Sequence, residues 1–172
     1  MKRLDKALAL AAVSLAVLPV RANVYLYEAE KFEDTGCWRA DAALQKSAGS
    51  GVLSAASDGD GAETMIQTPG AGNCRSWIRA ANLFETNQPP SKFTYQINGE
   101  EKEIAVKGEK GKFIWVDGGP VMLPGGYSSI GLTSVKGSKA VVDCVVVTDE
   151  GDFKPPADDK GIAKLRKDHA KE

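Results

Sequence analysis

Two carboxylates, Glu28 and Glu30, stand two residues apart in the run Val24–Glu30 (VYLYEAE). The run alternates, which predicts a β-strand, and a period of two sends both acids to one face. Like charges held that close raise each other's pKa unless a cation lies between them. Oxygen ligands of this kind suit a hard ion such as Ca²⁺, completed by backbone carbonyls; the plain alternative is two solvated glutamates on a sheet edge. Ser57-Asp58-Gly59-Asp60-Gly61 has the opening of a calcium loop but neither the later ligand spacing nor the closing glutamate, so it reads as a tight turn. Nucleophilic catalysis finds little to work with. Ser50 lies in Gly49-Ser50-Gly51 with no strand-turn-helix context, and the only histidine, His169, is close to the C-terminus, away from Cys37, Cys74 and Cys144. The chain reads as a non-enzyme.

The rest of the composition bounds what can position these groups. In 172 residues, 42% are hydrophobic and 26% charged, which suits one globular domain. Met1–Ala22 has a basic start (Lys2, Arg3, Lys6), an apolar core Ala7–Leu18 and the breaker Pro19, so residues 1–22 are expected to be a signal peptide. The apolar core is too short to span a bilayer comfortably, and no membrane span is expected after cleavage. Without this basic segment the chain is net acidic with no basic stripe, which leaves nucleic-acid binding no electrostatic drive. A secreted or periplasmic location follows. There the three cysteines allow at most one intramolecular disulfide, and sequence does not choose the pair.

Short alternating runs between turn signals continue along the chain. Ala62–Thr68 leads to the turn signal Pro69-Gly70-Ala71-Gly72, and Cys74–Ala80 places Cys74, Ser76 and Ile78 opposite Arg75, Trp77 and Arg79. Phe93–Ile97 and Glu103–Val106 flank Asn98-Gly99, the strongest short-range hairpin signal. Phe113–Val116, Val121–Leu123, Ser128–Leu132 and Ala140–Thr148 bring the total to about nine strands, with Gly125-Gly126 as another turn signal. Asp41–Lys46 is the one place for a helical turn. The expected fold is all-β, an antiparallel sandwich over residues 23–152. Residues 153–172 form a charged tail in which Asp158 or Asp159 caps a short helix and Ile162 and Leu165 are the only large apolar pair, so it is expected to be surface-docked or frayed.

The ordered series Tyr27-Glu28-Ala29-Glu30, Gly36-Cys37-Trp38, Thr68 to Arg79 (TPGAGNCRSWIR), Tyr95 to Gly99 (YQING), Trp115, Val121 to Gly126 (VMLPGG) and Val142 to Asp149 (VDCVVVTD) resembles carbohydrate-binding modules of families 6 and 35. That resemblance implies a jelly-roll, galactose-binding-like β-sandwich whose first strand runs beside its last. It implies that Asp143 joins Glu28 and Glu30 around a structural calcium. It also implies a polysaccharide or glycan partner, with an exported enzyme as the protein it would serve. A sugar needs an aromatic ring for its apolar face and amides for its hydroxyls. The candidates are Trp38 in the Gly36-Cys37-Trp38 loop, Trp115 beside Asp117-Gly118-Gly119, and Tyr127, each tryptophan having a core position as its alternative. Where these families often carry a sugar-binding asparagine, this chain has Val141, so Asn82 or Asn87 is the amide expected to substitute. The second function this pattern allows is a structural or protein-interaction sandwich without a sugar site.

Overall fold

The computed structural model describes residues 22–171 except 56, 57, 59, 60 and 86. The expected signal peptide therefore lies outside the described residues, but for Ala22, as do Ser57, Gly59 and Asp60 of the turn.

Eight described strands follow in order: β1 (Val24–Glu28), β2 (Trp38–Ala40), β3 (Leu53–Ala55), β4 (Ala62–Asn82), β5 (Ser91–Ile97), β6 (Glu100–Val106), β7 (Phe113–Ser134) and β8 (Ala140–Thr148). Two helices, α1 (Ala42–Ala48) and α2 (Asp159–His169), accompany them. All strand pairings are antiparallel, in the order β2-β3-β8-β4-β7-β5-β6 with β1 also on β8. The strands β4 and β7 run 21 and 22 residues and pair along their length. One end of that pair carries β5 and β6; the other carries β8, and through it β1, β3 and β2. The two ends form the two layers of a sandwich. Its core joins Phe93, Tyr95 and Ile104 of one layer to Tyr27, Ile78 and Val145 of the other.

Two expected turns are instead kinks within these long strands. The Pro69–Gly72 signal falls at a register shift between Thr68 and Ala71 of β4, opposite Gly126 and Pro124 of β7. Gly125 and Gly126 have φ of 80° and 81°, and a Cβ on Gly125 would sit 2.9 Å from the Ala71 amide nitrogen. Bulges and turns use the same left-handed glycines, so the composition is right and the connectivity differs. Asn98 and Gly99, at φ 50° and 83°, close the expected β5–β6 hairpin.

Strand β8 is buried along its whole length because both of its faces are covered. Ala140, Val142, Val145 and Val147 face the sandwich core. Val141, Cys144 and Val146 face outward, under α1, α2 and the segment leading to α2. The phase changes at Asp143, where Cys144 pairs with Arg79 and Val142 with Ala80, leaving Asp143 as the extra residue of a bulge. The charged tail supplies much of the outer cover. Helix α2 is capped by Asp158, whose carboxylate accepts from the Gly161 amide. It buries Ile162 and Leu165, and its exit is fixed by Lys171 N–H donating to Leu26 C=O at 2.9 Å.

Candidate functional site

Arg79, Glu28 and Asp143 meet on the outer face of the β1–β8–β4 layer. Alternation in β1 turns Tyr25 and Tyr27 into the core and Val24, Leu26 and Glu28 outward; alternation in β4 sends Trp77 and Arg79 the same way. Glu28 lies directly across from Cys144, and the bulge delivers Asp143 to the same spot. The donor atoms of Glu28, Asp143 and Cys144 all lie within 4.8 Å of one another, so the first and last strands do bring their acids together.

The cation there is a guanidinium from α2. Arg166 Nε donates to Glu28 Oε1 at 3.0 Å, Nη2 to both Asp143 oxygens at 2.7 Å, and Nη1 to the Ala48 carbonyl at 3.0 Å. Arg79 Nη1 donates to Asp143 Oδ2 at 2.5 Å and shares the Ala48 carbonyl at 3.0 Å. Ala48 O belongs to the last turn of α1, where carbonyls lack intrahelical donors, and Gly49 ends that helix. The Ser50 hydroxyl lies 2.9 Å from Asp143 Oδ1, as donor. Asp143 is 0% exposed, and the Arg166 side chain 14%. Burial raises the Glu28 carboxyl pKa, against the pull of Arg166. Burial opposes the Arg166 charge, but Asp143 and Glu28 outweigh it and raise its pKa. The Cys144 thiol is pushed far up by burial, with Asp143 acting in the same sense; it stays neutral and is no ligand for a hard ion.

Glu30 departs from its expected place. The β8 edge that β1 follows passes to β3 at Val142, so β1 leaves the sheet after Glu28 and Glu30 sits in the 3₁₀ turn Ala29–Lys31. Its carboxylate lies against Gly51, where a Cβ would come within 2.4 Å of Glu30 Cγ. Its Oε2 is buried and has no hydrogen-bond partner among the described residues. Burial raises its pKa; the Glu30 and Gly51 amides and Arg166 pull it down, and Asp143 adds to the rise. A raised folded pKa means that ionisation costs stability, a cost absent below the unfolded carboxylate value and growing as pH climbs through the folded one. Glu30→Gln is therefore expected to raise the melting temperature by a few degrees at pH 7, the two curves converging near pH 4. Equal melting temperatures at neutral pH count against this account.

Glu28, Asp143 and Cys144 form a buried group that could hold a metal ion, but with α2 docked the residues do not suit calcium. Glu28 and Asp143 are suitable oxygens, but Glu28 Oε1, both Asp143 oxygens and the Ala48 carbonyl already face guanidinium nitrogens, and Glu28 Oε2 faces the Ser50 hydroxyl at 3.4 Å. A divalent ion and Arg166 cannot share that space. Sequence reasoning missed Arg166, Arg79 and Ser50. The signal for Arg166 was its spacing: Ile162, Leu165 and Arg166 are i, i+3 and i+4, so the guanidinium rides on the face that buries the apolar pair.

Three of the aromatic and amide candidates have structural work. Trp38 opens β2 and is 0% exposed, its ring meeting Phe93 edge-on at 6.3 Å. Trp115 lies beneath the C-terminal segment and donates Nε1–H to Pro156 C=O at 2.8 Å. Asn82 is buried: its amide donates to the Phe84 and Gly108 carbonyls and its oxygen accepts from the Ser91 amide and hydroxyl. Trp38 and Asn82 are buried, while Trp115 is partly buried. Val141 is sealed beside Ala48 and Val52. No disulfide joins Cys37, Cys74 and Cys144.

Tyr127 is different, at 68% exposure. It stands on β7 across from Gln67, on the wall of a groove of about 720 Å³ between β1 and the first half of β4, with Tyr25, Tyr27, Met65, Gln67 and Lys171 among its lining. Lys171 lies over the Tyr25 ring at 5.4 Å, and the Tyr27 hydroxyl reaches the Gln67 carbonyl at 3.4 Å. The groove is wide, half apolar, and carries aromatic, amide and ammonium groups.

This architecture is that of carbohydrate-binding modules of families 6 and 35. The family 35 module from Clostridium thermocellum superposes with a TM-score of 0.57 at 20% identity, covering 73% of this chain and 97% of that one. The C-terminal CBM6 of LamC from Zobellia galactanivorans gives 0.58 at 19%, covering 74% and 100%. The GH26-CBM35 β-(1,4)-mannanase of Podospora anserina gives 0.61 at 18%, covering 77% of this chain but only 30% of that one, so this chain spans less than a third of that enzyme. No protein-family model matches the sequence, and no curated protein matches it. Among the described residues no helix is long and apolar enough to cross a membrane.

Proposed function

We propose that this chain is a non-catalytic carbohydrate-binding module that takes a polysaccharide or glycan in the groove between β1 and β4, with Tyr127 as the ring on which a sugar stacks. The observation that carries this reading is the exposed Tyr127 on the wall of that groove. An aromatic at 68% exposure on a folded sheet face has ring surface to spare for a pyranose, and Gln67 and Lys171 stand by for hydroxyls. Export through Met1–Ala22, action outside the cytoplasm and service to an exported enzyme belong to the same reading, since a tethered module raises the enzyme's local concentration on its polymer. A structural calcium at Glu28, Glu30 and Asp143 belongs to it only with α2 undocked.

A glycan array followed by calorimetry on the best hit tests this. Tyr127→Ala is expected to weaken binding about tenfold or more and to leave the melting temperature within about 2 °C, because the ring is mostly in solvent. Binding that ignores the substitution removes the groove from consideration.

The second reading, a structural or protein-interaction module of this fold, is favoured by Val141 being sealed under α1 and by Trp38 and Asn82 being buried. A wild-type protein blank on the array decides for it.

A further inference from the structure

We propose that Arg166 is this domain's structural cation: α2 carries, covalently attached, the positive charge that Glu28 and Asp143 require, and the folded domain uses no divalent metal. The guanidinium spends donors in three directions, on two carboxylates and a helix-terminal carbonyl. Those three groups come from β1, β8 and α1, so one side chain ties together elements far apart in sequence, as a bound ion would.

Charge balance agrees. Within the hydrogen-bonded cluster the two carboxylates meet two guanidiniums, Arg79 and Arg166. A calcium ion added to that neutral set would bury two further positive charges, of which the nearby Glu30 carboxylate could offset only one, and desolvation opposes the remainder. Calcium also needs six or more oxygens at about 2.3–2.6 Å. Glu30, the third acid expected to help, lies outside the set of converging donor atoms; it sits in a separate turn with Oε1 against Gly51 and with Oε2 buried and unpartnered among the described residues.

The guanidinium is not an exposed arm that happens to rest there. Ile162 and Leu165 bury the same face of α2, Trp115 holds Pro156 ahead of the helix, and the Lys171 amide closes on Leu26 behind it. Both ends of the helix are fixed, so Arg166 has one place to go. Arginine suits the task better than lysine because its fork reaches several acceptors at once.

The test is thermal unfolding of the purified chain in excess EGTA and in millimolar calcium, with calorimetric titration of calcium alongside. The wild type is expected to melt at the same temperature in both, within about 1 °C, and to show no saturable heat. Arg166→Ala is expected to melt roughly 10 °C or more lower in EGTA and to recover part of that loss in calcium, a response that lost packing alone does not produce. Arg166→Lys, which keeps charge without the fork, should fall between the two. A wild-type melting temperature that climbs saturably with calcium overturns the proposal whatever the variants do. So does an Arg166→Ala chain that is as stable as wild type, or one that calcium does not help. Should Arg166→Ala fail to fold in EGTA, its refolding on adding calcium is the supporting result and continued failure the overturning one.

Discussion

A chain ended at Asp152 is expected not to fold. The outer face of the β1–β8–β4 layer presents Val24, Leu26, Cys144 and Val146, flanked by Trp77 and Trp115, and the segment from Phe153 through Leu165 covers it. Removing that cover exposes a contiguous apolar patch of the kind that drives association. It also strips Arg166 from Glu28 and Asp143, leaving buried acids without half their cationic partners. Each loss alone costs several kcal/mol, against a total domain stability of about 5–15 kcal/mol. Circular dichroism and dye binding on the 23–152 fragment check this: the expectation is no cooperative melt, strong dye fluorescence and aggregation. A soluble fragment melting within a few degrees of the full chain would mean that residues 153–172 are dispensable.

Asp143→Asn is expected to have an effect as large as that of losing Arg166. The side chain keeps its shape but loses the charge that two guanidiniums share, and its new amide donors point at Arg79 and Arg166, which are themselves donors. Breaking a buried pair from one side costs about 3–5 kcal/mol. In a domain of this length that lowers the melting temperature by roughly 6–20 °C. Scanning calorimetry at neutral pH measures it. A shift under about 2 °C would show that Asp143 does not anchor the cluster. The surface pair Arg75–Asp117 offers a contrast: both partners are well exposed, so Asp117→Asn should move stability by less than about 1 kcal/mol.

Strand alternation made much of the fold legible. Arg75, Trp77 and Arg79 lie opposite Ser76 and Ile78 as their order requires, and the antiparallel neighbourhood of the first and last strands follows from the resemblance of their motifs. What alternation cannot show is a bulge. Ala140–Thr148 is apolar on both sides of Asp143, so nothing in the letters marks where the phase slips, yet that slip aims the acid outward. The glycine pair in β7 signals left-handed backbone without saying whether the chain turns back or bends on. Trp38 followed a glycine turn and read as a loop residue, whereas it begins β2 and fills the space against Phe93. The tail's mixed charge hid an apolar face only two residues wide, and the partner acids for its arginine stand far upstream.

That distance has a consequence for biogenesis. Glu28 and Arg166 are separated by 138 positions, so the bond that locks the first strand forms only after α2 has left the ribosome. Contacts of such long range are slow to close, and until α2 arrives the nascent sandwich keeps an uncovered flank. A domain whose outer flank closes only when α2 is made stays loose until that helix has been synthesised.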